Sequence, residues 1–251
     1  MQISSLGSSP LKGARHSEHE SLDFALDGPV GDREFAVVDL ANRRVLKTVE
    51  HPALLACEAT WIDGVLSITV AGEEFAAVPD PVGDEIELDY WGRPAVVRVV
   101  DGPWMPRLAS LLGRDVALVR AARPGAVVYG DSVTLVTTGS LLRLAATVGH
   151  AVPASRFRAT AVVDTGDDAH VEDSWAGRDL AVGGATVRVA AGIARCAVID
   201  FDPTTGESGT RLLKTLAGYR LRSGDIDFGV YATVVAPGTV RRGDPVRLLD
   251  R

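Results

Sequence analysis

The sequence predicts a mainly β fold with minor helices, and three observations carry that expectation. Leu66, Ile68 and Val70 alternate with polar or small residues, as do Ile86, Leu88 and Tyr90, and then Val97 and Val99. Clusters of Gly, Pro and Asp separate these runs at hairpin-like intervals. Helical spacing is confined to a few short stretches. Short strands so arranged predict a small barrel or sandwich. With 251 residues the chain can form one large domain or two small ones, each with a buried core.

Taken in order, the first segment carries Ser9-Pro10-Leu11-Lys12-Gly13, a polar stretch with His16 and His19, and Gly28-Pro29-Val30-Gly31-Asp32-Arg33, turn-rich at both ends. The two histidines have no third ligand at a metal-binding spacing, so the reading for them is a solvated loop. Glu34 to Leu40 reads as an apolar strand. Between Val49 and Trp61 the apolar residues Leu54, Leu55, Cys57 and Trp61 fit either a helix or a bent strand. Cys57 has no basic neighbour and reads as an inert packing residue. Near Asp101-Gly102-Pro103 the pattern changes, which predicts a boundary between residues 1–101, a β-barrel-like part, and residues 102–251.

Beyond that boundary Trp104, Leu108, Leu111 and Leu112 share a helical face that stops at Gly113, with a strand from Val116 to Val119. Val133 to Thr137 reads as a strand that runs through Thr138-Gly139-Ser140 into an amphipathic helix ending at Gly149. A helix start of this kind suits a phosphate, and Ser and Thr are equally ordinary caps; both readings stand at this point. Strands follow at Ala161 to Val163 and Thr186 to Ala190, a helix from Leu212 to Leu221, and a strand, turn and closing strand from Phe228 to Val246.

Composition narrows the function classes. The formal charge of −7, from 26 basic and 33 acidic residues, argues against a nucleic-acid surface. No apolar run approaches the roughly 18 residues of a membrane helix, and Met1 to Lys12 has no apolar core of a secretion signal. The expectation is a cytoplasmic protein with neither nucleic-acid nor membrane partners. Two cysteines are too few for a disulfide framework, a thiolate-only zinc site or a four-thiolate iron–sulfur cluster.

One of the two stands out. In Ala194-Arg195-Cys196-Ala197-Val198-Ile199-Asp200-Phe201 the run alternates and ends at the turn Asp202-Pro203-Thr204-Thr205-Gly206, which predicts a half-buried strand with Cys196 at its mouth. A neighbouring guanidinium favours the thiolate, the form that binds metal or attacks an electrophile. A lone cysteine also packs well as a small apolar residue, so Cys196 acquires weight only from its company.

That company is Pro10-Leu11-Lys12-Gly13, Asp32-Arg33, Ser155-Arg156-Phe157-Arg158, Glu172-Asp173-Ser174-Trp175, Arg195-Cys196, Asp202 to Gly206, and Gly243-Asp244-Pro245-Val246. In this order the set resembles the MOSC family, named for the C-terminal domain of molybdenum-cofactor sulfurase. The spacing is similar to the branch that includes the mitochondrial amidoxime-reducing component, in which a β-barrel-like part precedes the domain. The resemblance spans Pro10 to Leu249. It implies a β-barrel MOSC domain at residues 102–251 preceded by a smaller β-rich N-terminal domain at 1–101. It implies a molybdenum cofactor with Cys196 as metal ligand, held by Lys12, Gly13, Arg33, Arg158, Thr160 and Arg195. Asp131 and Tyr231 would lie on the substrate side. The chain departs from many relatives at Ser9, Thr160 and Ala194, each a lost hydrogen-bonding option near the cofactor. The acidic Glu172-Asp173 motif reads as structural.

The chemistry of these residue types agrees with that implication. A soft thiolate suits an oxo-metal already bound by sulfur, and Lys and Arg suit a phosphate-bearing anion. The implied activity is reduction of N-hydroxylated small molecules such as amidoximes and hydroxylamines. Gly28 to Gly31 makes no dinucleotide fingerprint, so electrons are expected from a separate iron–sulfur, haem or flavin protein. Two other readings remain: a carrier that holds sulfur as a persulfide on Cys196 or passes the cofactor onward, and a cofactor-free binding domain.

Overall fold

The computed structural model describes residues 1–250. Strands dominate, as the alternating runs predict, and three α-helices occur among the described residues: α1 (Met105–Leu112), α2 (Thr138–Val148) and α3 (Leu212–Arg220). Helices α1 and α2 end where expected, because Gly113 and Gly149 adopt left-handed conformations that close their last turns.

The N-terminal half builds a closed five-stranded barrel from Phe35–Asp39, Arg44–Val45, Asp80–Tyr90, Arg93–Asp101 and Ala117–Ala121. Its interior is apolar, with Val38, Leu88, Val97 and Val119 on inward positions. A three-stranded sheet, Glu58–Ile62, Val65–Val70 and Glu73–Ala77, packs with α1 in a second apolar cluster around Trp104 and Leu108. The Val49 to Trp61 stretch resolves into a single 3-10 turn, Pro52–Ala56, followed by the strand Glu58–Ile62.

The C-terminal half centres on a nine-stranded sheet. Its middle is Ala161–Asp164, Val133–Thr137, Asp225–Ala236 and Ala185–Ala194, in that spatial order. The first two run parallel because α2 crosses between them. Adjacent residues face opposite sides: Leu135 joins the core around Trp175 and Val189, whereas Val136 joins the core with Leu144, Leu216 and Phe228 under α2 and α3.

The closed barrel lies within residues 35–121, and the C-terminal strands form the nine-stranded sheet. The sheets interleave along the chain: Gln2–Ser8 pairs antiparallel with Ala161–Asp164, and Ala117–Ala121 closes the N-terminal barrel. One expectation changes: the strand expected through Phe201 ends at Ala194, and Ala197–Asp200 is a 3-10 turn. Two carboxylates draw this segment out of a ladder. Asp202 accepts the Thr204 and Thr205 backbone N–H groups at 2.9 and 3.0 Å, and Asp200 accepts the Leu213 N–H at the start of α3 at 3.0 Å.

Candidate functional site

The two halves meet at a cavity of about 350 Å³, whose lining includes Lys12, Gly13, Arg33, Asp131, Arg158, Arg195, Cys196 and Tyr231. Eight of the nine residues expected at the site therefore share one cavity, although they come from six separate stretches of chain.

Backbone pairing places the cations. The segment Ser9 to Lys12 is zipped beside residues 33–35: Lys12 N–H donates to Phe35 O at 2.8 Å, Phe35 N–H to Pro10 O at 2.8 Å, and Arg33 N–H to Ser9 O at 2.8 Å. The Asp32 carboxylate accepts the Ser9 N–H at 2.9 Å and pairs with the Arg33 guanidinium. Gly13 is required by close approach, since it has φ +90° and a Cβ there would stand 3.0 Å from Leu54 Cδ1. Arg33 and Arg158 both adopt φ +51°, a left-handed backbone unusual for arginine and the kind of strain that clusters at binding sites.

Each inner cation is held by carbonyls rather than carboxylates. Lys12 Nζ donates to Leu46 O at 3.3 Å and lies 5.0 Å from the centre of the Tyr90 ring. Arg158 Nη1 donates to Ala14 O at 2.5 Å. Arg195 Nε donates to Phe228 O at 2.7 Å and its Nη1 to Phe157 O at 3.0 Å, while its buried Nη2 has no partner. Burial, reinforced by the Arg158 and Arg33 guanidinium groups, pushes the Lys12 amine down to about 7. Burial and Arg33 lower Arg158 to about 9, and burial lowers Arg195 to about 10. Among the described residues no carboxylate pairs directly with Lys12, Arg158 or Arg195, and Asp32 pairs with Arg33, so the inner cavity is a set of desolvated cations suited to an anion.

Cys196 stands at the rim of this charge. It is exposed, two residues beyond the strand Ala185–Ala194, and it forms the N-terminal cap position of the following 3-10 turn. Arg156 fixes that turn by donating to Phe201 O at 2.6 Å, with Asp202 3.8 Å away. Cys57, in contrast, is fully buried and burial pushes its thiol up to about 12, in keeping with an inert packing role. Tyr231 packs over Gly130, where a Cβ would lie 2.6 Å from the ring, and burial raises its phenol pKa. Asp131 follows directly on the cavity wall.

Thr160 is the exception. It is buried off the cavity lining and exchanges hydrogen bonds with Thr134, which does line it: Thr160 N–H to Thr134 Oγ1 at 2.9 Å, and Thr134 N–H to Thr160 Oγ1 at 3.1 Å. Its place is behind Thr134. Sequence reasoning missed Lys47, Tyr90, Trp91 and Tyr129 on the lining. Tyr90 and Trp91 sit together at a hairpin tip, which alternation alone presents as a turn, and nothing local marks Lys47 or Tyr129.

The start of α2 is not a phosphate site. Thr137 and Ser140 hydroxyls donate to the buried Glu172 carboxylate at 2.8 and 2.6 Å, so the chain supplies its own anion at that end of the helix. Asp173 is structural as read, accepting both arms of the buried Arg220 guanidinium at 2.9 Å. The His16 and His19 segment is a correction: Ser17–His19 is an edge strand on Gln2–Ser8, and the His19 ring bonds Ser8 Oγ at 2.9 Å. Among the described residues no cluster of three His, Cys, Asp or Glu side chains could hold a metal ion by itself.

Residues 127–247 match the family model described as MOSC domain. The chain is 32% identical over 136 residues to mitochondrial amidoxime-reducing component 1 of Homo sapiens, a match covering 50% of this chain and 40% of that protein. It is 33% identical over 131 residues to human mitochondrial amidoxime reducing component 2, covering 48% of this chain and 38% of that one. The match thus spans about two fifths of these relatives' length. Among solved structures, the YuaD protein from Bacillus subtilis superposes with a TM-score of 0.47 at 13% identity, covering 98% of this chain and 94% of that one.

Proposed function

Because residues 127–247 of this chain are a MOSC domain, we propose that the protein binds a molybdenum cofactor and reduces N-hydroxylated small molecules with electrons from a separate redox protein. One observation carries the reading. An exposed cysteine and a group of buried and half-buried, carboxylate-poor cations line a single cavity, and the Arg195 Nη2 donor is buried without a partner.

The residues present fit such a cofactor. Lys12, Arg33, Arg158 and Arg195 would hold its phosphate-bearing part, and the Cys196 thiolate would ligate the metal. When bound, the cofactor supplies two-electron redox chemistry. The net reaction converts R–NH–OH, two electrons and two protons to R–NH₂ and water: the N–O bond breaks, nitrogen is reduced, and the oxygen leaves as water. This chain's residues position and protonate. Tyr231, whose raised pKa keeps its phenol neutral, would donate a hydrogen bond at the mouth, and Asp131 would accept one from the substrate N–H group.

Molybdenum analysis of protein from a cofactor-competent host tests the assignment. Wild type is expected to carry near-stoichiometric metal and, with reduced methyl viologen as electron donor, to reduce an amidoxime, and Cys196→Ala to lose both. An active, metal-replete Cys196→Ala would refute Cys196 as ligand. The exposure of Cys196 also favours a second reading, a carrier of sulfur or cofactor. Persulfide on Cys196, with cofactor lost on gel filtration and no turnover, would select it.

A further inference from the structure

One side of the cavity mouth is walled by an aromatic pair that anion binding does not require. Trp91 and Tyr129 both line the cavity, with ring centroids 5.2 Å apart and planes inclined at 53°. They remain 44% and 53% exposed.

Trp91 occupies this place against its local preferences. Tyr90 and Arg93 pair across a two-residue hairpin whose central residues, Trp91 and Gly92, have φ of +58° and +77°. Positive φ at both positions is the turn that favours Asn-Gly or Asp-Gly. A bulky aromatic residue in a left-handed conformation is an outlier, and its exposed ring gains little from folding. Two local costs at one residue mark a position retained for something other than stability.

The surrounding contacts aim the pair at the site. Lys47 Nζ stands 4.0 Å from the Trp91 ring centre, which holds the ring over the mouth. Arg93 donates to the Val128 carbonyl, tying the hairpin tip to the loop that carries Tyr129. Through Gly130 that loop meets Tyr231, so aromatic surface extends from solvent into the cavity that Cys196 lines. Lys12 is buried and Arg33, Arg158 and Arg195 are half-buried, whereas Trp91 and Tyr129 are exposed at the rim.

We propose that Trp91 and Tyr129 form a specificity-determining platform for the planar π ring of an aryl or heteroaryl substrate. The N-hydroxylated group on that ring rests on the reductase reading; the preference for a ring does not. Ring faces stack with an energy that depends little on substituents, so the platform selects planar substrates as a class over alkyl ones.

The test measures equilibrium binding of benzamidoxime and acetamidoxime to the cofactor-loaded protein by titration calorimetry, together with molybdenum content and thermal midpoint. Wild type should prefer benzamidoxime by about threefold to tenfold beyond the preference Trp91→Asn retains. Trp91→Asn restores the favoured turn dipeptide, so its thermal midpoint should hold or rise while the ring preference collapses; Trp91→Phe should recover most of it. Tyr129→Ala should reduce the preference as a second variant. An unchanged preference in folded Trp91→Asn and Tyr129→Ala overturns the proposal. A parallel loss of molybdenum in folded Trp91→Asn also overturns it, because the pair would then serve the cofactor's own ring. A Trp91-dependent preference without any turnover when a chemical reductant such as reduced methyl viologen supplies electrons upholds the platform and refutes the reductase reading.

Discussion

At the scale of single residues, Lys12 concentrates the electrostatics of the site. Its amine titrates near 7 in the folded cofactor-free chain, against 10.5 as the ordinary value, because burial and then Arg158 and Arg33 oppose its charge. Between these values the unfolded chain binds a proton that the folded chain lacks, so stability rises with pH across that window, and below pH 7 the whole penalty is present. Lys12→Met should therefore stabilise the cofactor-free protein by about 3–5 kcal/mol at pH 6 and remove this part of the pH dependence, as read from urea unfolding at several pH values. Anion binding has the opposite slope. A phosphate restores the Lys12 proton, so above pH 7 phosphate affinity of the cofactor-free protein should fall by up to about tenfold per pH unit, and Lys12→Met should flatten that fall in calorimetric titrations.

Residue-scale legibility was uneven for a physical reason. Cys196, Lys12, Arg33 and Arg158 announce themselves by chemistry and by membership of ordered motifs, and they line one cavity. Trp91 and Tyr129 belong to no ordered motif, because they meet only where a hairpin tip contacts a later loop, tied by the Arg93 to Val128 hydrogen bond across 35 residues of chain. Thr160 shows the reverse error: Arg158, two residues earlier, lines the cavity, while Thr160 lies just before a strand and is hydrogen-bonded behind Thr134.

At the scale of elements, buried carboxylates organise the C-terminal sheet. Glu172 closes the start of α2, and Asp173 neutralises Arg220, which α3 carries into the core at 2% exposure. Asp173→Ala leaves that guanidinium buried with Arg222 nearby and no carboxylate partner, so it should cost about 3–5 kcal/mol with a fall in the thermal midpoint. Asp173→Ala combined with Arg220→Met should recover much of the loss, since an apolar side chain of similar length needs no partner. The helices themselves were legible because glycines end α1 and α2. The segment after Cys196 was not: its apolar alternation is real, but Asp202 binds the Thr204 and Thr205 N–H groups of its own turn and Asp200 binds the Leu213 N–H at the start of α3.

At the scale of the whole molecule, the N-terminal strand links both halves. Gln2–Ser8 completes the nine-stranded sheet, burying Ile3 and Leu6, and then delivers Ser9 to Gly13 to the barrel and the cavity. A fragment of residues 102–251 lacks that strand and also Lys12 and Arg33. It should aggregate when expressed alone and become monodisperse only when residues 1–101 are co-expressed, which size-exclusion chromatography would show. A monodisperse, cofactor-binding 102–251 fragment would contradict this dependence. No helix among the described residues is long and apolar enough to cross a membrane.

The sequence by itself determined the mainly β character, most strand and helix positions, and the cationic chemistry of residues that line the cavity, because periodicity, caps and side-chain type are local properties. Only the tertiary structure decided where the barrel closes, which strand the N-terminus joins, that Glu172 already fills the start of α2, and that an aromatic pair walls the mouth. Those outcomes depend on pairings between residues tens to hundreds of positions apart. They are settled by the burial and hydrogen-bond satisfaction of the whole chain, which no local pattern encodes.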